Sequence, residues 1–387
     1  MNAQHRVIVV GAGYAGLVAA KRLARRAGER ARVTLINATD QFVERPRLHQ
    51  VATGQRVKEL PLRELIGSVD VDLVVGWVDG IDLAGKQVDV RTADGPRGFA
   101  YDTLVLANGT VIDTAAVPGV AEHALTLEPW SASRAFRRLS SLESGTVLVA
   151  GGGLTGIEAA TEIAERFPGL SVTLVSRGEP GGRLSPRARR HLGKVLRRLG
   201  IQVRGGAGIA ALEAGRAVLD DSASIAFDEC VWAGGFAIPA LAAESGLAVN
   251  PKGRPLVDET LRSVSHPDVY VVGDAAAVAG RWGEELAYGC RVGGFMGPYL
   301  GDALATRIAG AEPQPFRFRY IHQCVSLGRR DAIIQFVHAA DETPRRAVLT
   351  GRSAVWYKEL VLRSATWLFR AAGPKGLPRR AKVSATV

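Results

Sequence analysis

The chain of 387 residues is long enough for two or three domains with a sizeable core, and its hydrophobic fraction of 47% is ordinary for a globular protein. Its formal net charge of +11 comes without a basic stripe interleaved with aromatic residues, so we do not expect it to bind nucleic acid. No apolar run approaches the ~18 residues of a membrane-spanning helix, and a strand that begins at residue 7 leaves no room for a signal peptide, which predicts a cytoplasmic protein.

The first chemical signal is a strand–turn–helix unit at the start of the chain. An apolar run over residues 7–10 is typical of a buried parallel strand, and a helical pattern follows over residues 17–26. In the G-x-G-x-x-G turn between them, the first glycine allows a tight turn, the second lets a pyrophosphate approach the backbone, and the third lets the helix pack closely. The unit predicts a dinucleotide site at the positive end of a helix dipole, with a glycine-rich turn of another α/β unit as the alternative. The predicted binding positions are Gly11, Gly13, Tyr14, Ala15 and Gly16.

The segment that follows supplies further candidate ligands for this first site. Asn37 stands where such units carry an acidic residue for a ribose hydroxyl, and an amide also hydrogen-bonds a hydroxyl. Residues 40–54 predict a loop and a short helix. In this segment Arg45 and Arg47 either pair with cofactor phosphates or anchor the loop.

The same pattern recurs in the middle of the chain. Residues 146–150 form a second apolar strand, a second G-x-G-x-x-G turn follows, and residues 157–167 have a helical pattern. Two such units in one chain predict two dinucleotides that meet face to face. The predicted binding positions are Gly151, Gly153, Leu154, Thr155 and Gly156.

Residues that follow three other strands complete the predicted nucleotide sites. A carboxylate after the second strand of the second unit would favour NAD, whereas the chain has Ser176 and Arg177 there. An arginine pairs with the 2′-phosphate of NADP, although Arg177 as a solvated surface residue is the alternative. Another strand ends in a glycine turn at Gly234, and a third ends in Gly273 and Asp274, where a carboxylate can accept a ribityl or ribose hydroxyl.

Apolar runs and turn residues predict the remaining elements before the C-terminal region. These are strands at residues 73–76, 87–90 and 101–107 and the end of a helix at residues 303–308. Gly80 and Gly85 mark turns, which predicts a small antiparallel layer from the first two strands. The third strand ends at Asn108 and Gly109.

With these motifs the chain resembles the flavoproteins that have two dinucleotide-binding domains, and among them the type II NADH dehydrogenase-like family. The first glycine turn resembles their FAD site, the second their NAD(P)H site, and Gly273-Asp274 their contact with the ribityl chain of the flavin. Residues 45–54, which include Pro46, resemble the segment beside the flavin in that family. Residues 101–109 resemble its Ala-Thr-Gly strand, with Asn108 in place of the threonine.

The resemblance implies an α/β fold of two Rossmann-like, three-layer ββα dinucleotide-binding domains, the second inserted in the first. It implies an FAD-binding domain at residues 1–112 and 265–312, an NAD(P)H-binding domain at residues 113–264, and a C-terminal region at residues 313–387. The implied activity is transfer of a hydride from NAD(P)H to FAD, and then of electrons to a quinone or another small acceptor. Fixing the two reacting rings against each other would supply most of the catalysis.

Two residues are predicted to be catalytic. The resemblance places Glu158 beside the two substrate rings, and the alternative is an acidic residue that only complements the dipole of its helix. His49 either donates a proton near the flavin or makes a purely structural hydrogen bond.

Two departures from related families bear on the acceptor. Cys230, Cys290 and Cys324 are widely spaced, so we expect neither the redox pair of the disulfide reductases nor a disulfide framework or a metal site. The type II family has a glutamine-containing Ala-Gln-x-Ala-x-Gln motif by the quinone, and its nearest match, residues 287–292, has neither glutamine. The sequence therefore leaves two alternatives for the electron acceptor, a quinone or another small molecule.

The C-terminal region has a different pattern. Residues 316–319 and 332–337 predict strands, the first of them at a sheet edge, and residues 353–372 predict a helix. One predicted helix face holds Trp356, Tyr357, Leu360, Val361, Trp367, Leu368 and Ala371, and the opposite face holds Lys358, Arg363 and Arg370. Further basic residues follow at Lys375, Arg379, Arg380 and Lys382. An aromatic face with basic flanks predicts that residues 353–382 contact an anionic membrane surface, on the inner face of the cell membrane.

The alternative for the C-terminal helix is packing on the protein's own core or on a second copy in a homodimer. Three functions are consistent with the sequence. The first is a peripheral membrane enzyme that passes electrons from NAD(P)H to a quinone. The second is a soluble flavin oxidoreductase of specialised metabolism with a non-quinone substrate, and the third is a flavin-binding redox sensor with little turnover.

Overall fold

The structure, a computed structural model, describes residues 4–280 and 283–371. The first part of the chain forms β1 (His5–Val10), α1 (Tyr14–Ala27), β2 (Ala31–Asn37), α2 (Leu48–Val51), α3 (Leu62–Ile66), β3 (Asp72–Asp82), β4 (Gln87–Thr92), β5 (Gly95–Ala100) and β6 (Thr103–Leu106). The middle part forms β7 (Val111–Ile112), α4 (Val120–His123), β8 (Leu125–Thr126), α5 (Ala132–Ser140), β9 (Gly145–Ala150), α6 (Leu154–Arg166), β10 (Leu170–Ser176), α7 (Pro186–Arg198), β11 (Gln202–Gly205), β12 (Ile209–Glu213), β13 (Arg216–Leu219), β14 (Ser224–Ala226), β15 (Glu229–Trp232) and β16 (Phe236–Ala237). The last part forms α8 (Leu241–Glu244), β17 (Val269–Val271), α9 (Cys290–Ile308), β18 (His322–Ser326), β19 (Ala332–Val337), β20 (Pro344–Thr350) and α10 (Arg352–Ala371).

The first sheet has the strand order β17-β6-β1-β2-β3-β4-β5. The apolar run of β1 is buried because the strand lies between parallel neighbours, β2 and β6, in the middle of the sheet. Parallel strands end at the same edge of a sheet, so the turn after β1 meets the ends of β6 and β17 there. We call that turn, residues 11–16, the first elbow.

Strand β3 is longer than the sequence pattern predicted and belongs to two layers. Its first residues pair in parallel with β2 and the rest pair antiparallel with β4, so the predicted antiparallel layer is continuous with the main sheet. Gly85 lies in the turn before β4, as predicted. The turn predicted at Gly80 is wrong, because this glycine lies inside β3 where the register shifts after Val78, a position that a residue without a side chain also suits.

The second sheet repeats the arrangement, with β11, β10, β9, β15 and β8 all in parallel. Its turn after β9, residues 151–156, is the second elbow, and α6 follows it as α1 follows the first. Strands β7 and β16 pair antiparallel where the chain leaves the first sheet and where it leaves the second. The α/β fold with two Rossmann-like units is confirmed, whereas the exact domain limits stay a prediction.

Helix α9 begins at Cys290, thirteen residues before the segment that the sequence pattern predicted. The early part contains several glycines and Pro298, which reduce helix propensity in a sequence pattern. Tertiary packing explains why it is nevertheless helical: α9 lies against α1 so closely that a Cβ on Gly297 would come 2.5 Å from the carbonyl oxygen of Ala15. Buried side chains such as Met296 and Leu300 then fill the adjoining core.

The C-terminal region forms a three-stranded antiparallel sheet of β18, β19 and β20, with α10 packed on it. The strand predicted at residues 332–337 is confirmed, but the edge strand predicted at residues 316–319 is wrong, since this segment pairs with no strand of the described chain. Its alternation has another cause: Phe316 and Phe318 pack against the aromatic rings of Tyr299 and Phe295 on α9.

Helix α10 exposes the predicted aromatic face, whereas the opposite face, which the sequence pattern predicted to be polar, is buried. Its buried residues are Ala354, Lys358, Leu362 and Phe369, and its strongly exposed ones are Trp356, Leu360 and Trp367. Spacings of four and seven residues place the buried set on one helix face, so a lysine lies on the inner side where the pattern predicted a polar surface. The predicted basic positions Lys375, Arg379, Arg380 and Lys382 are outside the described residues. Within residues 4–280 and 283–371, no helix combines the length and the apolar character that crossing a bilayer requires.

Candidate active site

Of the three motif glycines in each elbow, the fold requires the first and the third, and the second faces open space. Gly11 has a φ of 99°, and a Cβ there would lie 2.5 Å from the carbonyl oxygen of Ala107. A Cβ on Gly16 would overlap the carbonyl oxygen of Gly11, whereas one on Gly13 would meet nothing within 4 Å. The first and third glycines therefore serve the turn and the helix packing, and the second leaves room in front of the first N–H groups of α1, which lack intrahelical partners.

The second elbow has the same division of tasks. Gly151 has a φ of 118°, and a Cβ there would collide with the carbonyl oxygen of Ala233. A Cβ on Gly156 would collide with the carbonyl oxygen of Gly151, whereas Gly153 has nothing within 4 Å of its Cβ position. Two equivalent cradles for a phosphate are thus built into one chain.

Both elbows open into one main cavity of about 1510 Å³. This exceeds the ~300–1,000 Å³ of a single small-molecule pocket and leaves space for two ligands. The predicted site residues that line it are Gly13, Tyr14, Ala15, Arg45, Pro46, His49, Gly109, Gly153, Leu154, Thr155, Glu158, Gly273 and Asp274. The other predicted site residues support the cavity walls or lie outside the cavity. They are Gly11, Gly16, Asn37, Asn108, Gly151, Gly156, Ser176, Arg177 and Gly234.

Polar groups in this cavity fit the two dinucleotides that the sequence resemblance implies. Tyr14 Oη and His49 Nε2 are buried, and neither has a hydrogen-bond partner among the described residues. At the end of β17 the carboxylate of Asp274 accepts a hydrogen bond from the N–H of Gly289 at 2.7 Å, and burial raises its pKa. Buried polar atoms without partners are costly, so these groups are suited to a ligand that supplies the missing hydrogen bonds.

Several predicted ligands make contacts within the protein. Asn37 Oδ1 accepts a hydrogen bond from the N–H of Ala12 at 2.9 Å, so this amide holds the first elbow, and a role with the ribose stays a prediction. Ser176 lies against the second elbow beside Gly152, and Arg177 is exposed. Asn108 follows β6, and Gly234 lies beside the ring of Trp232.

The two arginines after the first elbow differ in their contacts. Arg45 donates to the carbonyl oxygen of Thr110 at 2.8 Å and pairs with Glu128, and its side chain also lines the main cavity. Arg47 donates both terminal nitrogens to the carboxylate of Glu359, at 2.9 and 2.8 Å. Of the two roles that the sequence left open, the structure favours anchoring for Arg47.

A buried cluster of charged groups lies where α6 meets α10. Lys358 Nζ donates to Glu158 Oε1 at 2.5 Å and to Ser326 Oγ at 2.6 Å, and the N–H of Ser326 donates to the same oxygen of Glu158 at 3.0 Å. Burial alone would raise the pKa of Glu158, but the charge of Lys358 and these hydrogen bonds outweigh it and keep the pKa below its ordinary value. We call Glu158, Lys358, Ser326 and His49 the charged cluster.

His49 completes the cluster from α2. Its Nδ1 lies 3.7 Å from Glu158 Oε2, which is too long for a hydrogen bond. Burial lowers the pKa of His49 to about 4, because Glu158 compensates only in part. His49 is therefore a neutral imidazole at pH 7, so it is better suited to hydrogen bonding than to supplying a proton as an imidazolium; its catalytic role stays a prediction.

Helix α10 is held over the main cavity by contacts with the first unit. Besides the Arg47–Glu359 pair, the ring of Phe369 lies 5.4 Å from Tyr14 and 5.0 Å from Phe42, centroid to centroid. Lys21 donates to the carbonyl oxygen of Phe369 at 2.6 Å. Lys358, Leu362 and Phe369 consequently line the cavity, and the C-terminal helix forms part of the active-site wall.

The wall of the main cavity between α9 and β18 contains two cysteines and two basic side chains. Cys290, Arg291, His322 and Cys324 line the main cavity there. Both cysteines are free, and burial raises the pKa of Cys290 to about 11 and that of Cys324 to about 12. Their thiols are protonated at neutral pH, which disfavours thiolate chemistry at this wall.

Sequence reasoning missed Lys358 and Ser326. The spacing of Ala354, Lys358 and Leu362 carried the signal, because a lysine within an apolar i, i+4 series requires a buried partner. The partner, Glu158, is 200 residues away, and the sequence alone gives no means of pairing the two.

Comparisons with known proteins agree with this geometry. A family model described as pyridine nucleotide-disulphide oxidoreductase matches residues 5–292. An NADH dehydrogenase-like protein of Mycobacterium tuberculosis is 31% identical over 326 residues, which are 76% of this chain and 79% of that protein. A type II NADH:quinone oxidoreductase of Staphylococcus epidermidis is 26% identical over 390 residues, 92% of this chain and 94% of that protein.

Among solved structures, the sulfide:quinone oxidoreductase of Aquifex aeolicus matches with a TM-score of 0.82 and 17% identity, over 96% of this chain and 93% of that one, which shows the shared fold. The predicted cofactors, FAD and NAD(P)H, are confirmed by the family. The chain belongs to the pyridine nucleotide-disulphide oxidoreductase family and is an NAD(P)H oxidoreductase related to the type II NADH:quinone oxidoreductases.

Proposed function

We propose that the protein passes electrons from NAD(P)H, through FAD held at the first elbow, to a quinone that enters beside α9 and α10. One observation carries this proposal: Glu158, Lys358 and His49 of the charged cluster lie in the wall of the cavity that both elbows share. It offers a proton source at the place where an acceptor would receive its electrons. FAD, when bound, supplies the ring that takes up a hydride and passes electrons on.

The proposal assigns a role to each of the main polar groups of the cavity. The elbows hold the diphosphates of the two dinucleotides. Asp274 accepts a hydrogen bond from a hydroxyl of the ribityl chain, and the neutral His49 forms a hydrogen bond with a cofactor through Nε2. Glu158 accepts a hydrogen bond from Lys358 and holds it in place. The Lys358 ammonium then stands ready to donate a proton to the acceptor oxygen.

A quinone is supported by the relatives named as quinone oxidoreductases and by the apolar side chains that α10 adds to the cavity. The second candidate, a non-quinone small acceptor, is favoured by Tyr288 and Val292, which stand where the resembling family has glutamines. Arg291 and His322 are polar side chains of the wall between α9 and β18, and Lys358 lines the same cavity.

The experiment that separates these functions begins with anaerobic mixing of the FAD-loaded protein with NADH or NADPH, followed through the flavin absorbance. The reduced protein is then mixed with menaquinone and ubiquinone analogues and with non-quinone acceptors. Rapid reoxidation by a quinone supports the proposal, and reoxidation only by other acceptors supports the second candidate. A flavin that neither NADH nor NADPH reduces would overturn both candidate functions and would favour a flavin-binding redox sensor.

Arg177 is proposed to contact the 2′-phosphate of NADPH. Its exposed position after β10 leaves the guanidinium accessible to a nucleotide on the second elbow. We expect Arg177→Ala to raise the KM for NADPH roughly tenfold, as loss of a charge-assisted hydrogen bond of about 1.5 kcal/mol implies, and to leave the KM for NADH unchanged. Arg134→Ala, which removes an exposed arginine on α5, is the matched control, and equal effects on both nucleotides would contradict the assignment.

The outer face of α10 supports contact with an anionic membrane. Trp356 is 68% exposed, Leu360 50% and Trp367 66%, and a groove of about 670 Å³ beside them is lined by Arg329, Arg330, Arg352 and Arg363. Each basic residue near an anionic surface contributes about 1 kcal/mol, and the tryptophans suit the interfacial layer. The membrane contact, the cytoplasmic location and a homodimer all stay predictions.

We expect the full chain to float with phosphatidylglycerol vesicles and not with phosphatidylcholine vesicles. The double variant Trp356→Ser/Trp367→Ser is expected to bind about tenfold more weakly, since interfacial burial of each aromatic ring is lost. Trp130→Ser is the matched control because Trp130 is 64% exposed but lies before α5 and not on α10. Equal losses in the control and in the double variant would contradict a specific face.

A further inference from the structure

A second, polar cavity lies on the other side of the charged cluster. This side cavity has a volume of about 530 Å³, and its lining includes Gln55, Arg56, Glu162, Ser326, Arg329 and Lys358. Of these, Arg56 and Arg329 are exposed, whereas Glu162, Ser326 and Lys358 are buried. The cavity therefore leads from the surface to the charged cluster, and Lys358, which also lines the main cavity, stands between the two spaces.

Glu162 is a buried acid that the proposed reaction has not used. It lies one helical turn after Glu158 on α6 and is 1% exposed. Gln55 Nε2 donates to its Oε2 at 2.8 Å. A buried carboxyl at the inner end of a polar passage is able to take up and release a proton, provided that its two ionisation states are close in free energy.

The surroundings of Glu162 meet this condition. Burial is the largest influence and raises its pKa to about 7, with smaller upward contributions from Glu165 and Glu158 on the same helix. Arg329 and the hydrogen bond from Gln55 oppose the rise. The other charged groups of the side cavity are Arg56 near Gln55, Lys358, Glu359 and Arg363 on α10, and Arg47.

We propose that the side cavity is the route by which solvent protons reach the acceptor, with Glu162 holding the proton at its inner end and Lys358 passing it on. Glu162 is a relay residue that acts through Lys358 and does not touch the substrate. A polar cavity of this size holds water molecules with several partners, which carry the proton between the two side chains. The inference rests on the proposed reduction of a quinone.

The proton balance requires such a route. NAD(P)H supplies two electrons and one proton as a hydride, whereas conversion of a quinone to a hydroquinone takes two electrons and two protons. In the proposed step a Lys358 N–H bond breaks and an O–H bond forms on one quinone oxygen. The two electrons, and the proton of the other O–H group, are those that NAD(P)H supplied as a hydride and would come from the reduced cofactor. The neutral amine then takes a proton from water, Glu162 gives up its O–H proton to that water, and solvent reprotonates Glu162.

The test uses the FAD-loaded full chain and Glu162→Gln, which keeps an acceptor for Gln55 but cannot ionise. We expect unchanged flavin reduction by NADH and an approximately tenfold slower reoxidation by a menaquinone analogue, with a larger solvent deuterium isotope effect. In the wild type, reoxidation should slow as the pH rises through about 7, where Glu162 loses its proton, and the variant should lack this inflection. Infrared spectroscopy of the protein without nucleotide should show a carboxyl band that titrates with the same midpoint and is absent from the variant.

Two further variants keep the inference falsifiable. Glu165→Gln is the matched control on the same helix outside the cavity lining, and it should retain the rate and the inflection, with a slightly lower midpoint because a neighbouring negative charge is gone. Gln55→Met removes a hydrogen bond that lowers the pKa of Glu162, so its midpoint should move upward. Neutral glutamine at position 162 avoids the cost of a buried charge, so we expect Glu162→Gln to fold.

The outcomes separate the two proposals. If the wild type reduces quinones but Glu162→Gln has the wild-type rate and pH profile, protons enter elsewhere and the relay is overturned while the proposed function stands. An infrared band that persists in Glu162→Gln, or a midpoint that Gln55→Met does not move, also overturns the relay. If the wild type reduces no quinone, the proposed function fails, and the relay fails with it.

Discussion

Replacing Lys358 with methionine should lower the rate of quinone reduction by roughly 100-fold or more and reduce the free energy of unfolding by about 3–5 kcal/mol. The rate falls because the variant lacks the proposed proton donor at the acceptor wall. Stability falls because the carboxylate of Glu158, only 9% exposed, loses the cation that compensates its burial. Stopped-flow reoxidation by a menaquinone analogue and urea unfolding measure the two effects, and reduction of the flavin by NADH should change little.

The control for this prediction is the double variant Glu158→Gln/Lys358→Met. Replacing both members of a buried ion pair by neutral groups of similar volume is often close to neutral for stability, so the double variant should regain most of the lost free energy of unfolding. Its quinone reduction should stay slow, because no proton donor has been restored. Recovery of both properties together would show that Lys358 has only a structural task.

The pH dependence gives a second check on the Lys358 variant. In the wild type the pKa of Glu158 lies below its ordinary value of 4.5, so the pair stabilises the fold above that pH, and the contribution is lost as the pH falls through the folded-state pKa. In the variant, burial raises the pKa of Glu158, so stability is greatest in acid and is lost as the pH rises through that raised value. The difference in stability between the two proteins should therefore grow from pH 4.5 toward neutral pH.

Local sequence rules predicted the elbows well because their chemistry is contained within a few residues. Gly16 and Gly156 would each collide with the carbonyl oxygen of the first glycine of the same turn, and Gly11 and Gly151 have positive φ values, so the spacing of the glycines specifies most of the geometry. The strands before and the helices after each elbow were predicted for the same reason. Here local propensity and the tertiary fold favour the same structure.

The charged cluster could not be predicted because its members come from four distant segments. His49 lies on α2, Glu158 on α6, Ser326 at the end of β18 and Lys358 on α10. Periodicity distributes residues around a helix, but it cannot tell which face becomes buried when aromatic and charged residues share both faces. On α10 the buried face carries Lys358, paired with Glu158, while Trp356 and Trp367 are exposed.

The second large effect is expected from valine at the middle glycine of each elbow. The backbone at Gly13 is extended, with φ of −75° and ψ of −168°, and at Gly153 it is similar, so valine suits either position. A Cβ there meets no protein atom within 4 Å, and it occupies the space proposed for a pyrophosphate. We expect Gly13→Val to fold and to bind FAD about 100-fold more weakly, as overpacking by about 3 kcal/mol implies, and Gly153→Val to retain FAD but bind NADH with a similar loss.

This pair of variants assigns the cofactors to their elbows, since each serves as the control for the other. Fluorescence titration of the apoprotein measures FAD binding, and titration of the FAD-loaded protein with NADH under anaerobic conditions measures the nucleotide. Gly16→Val and Gly156→Val should instead fail to fold, because a side chain there collides with backbone carbonyl groups that cannot move without opening the turn. Loss of NADH binding in Gly13→Val with FAD retained would reverse the assignment, and normal binding of both cofactors in both variants would show that neither diphosphate lies at an elbow.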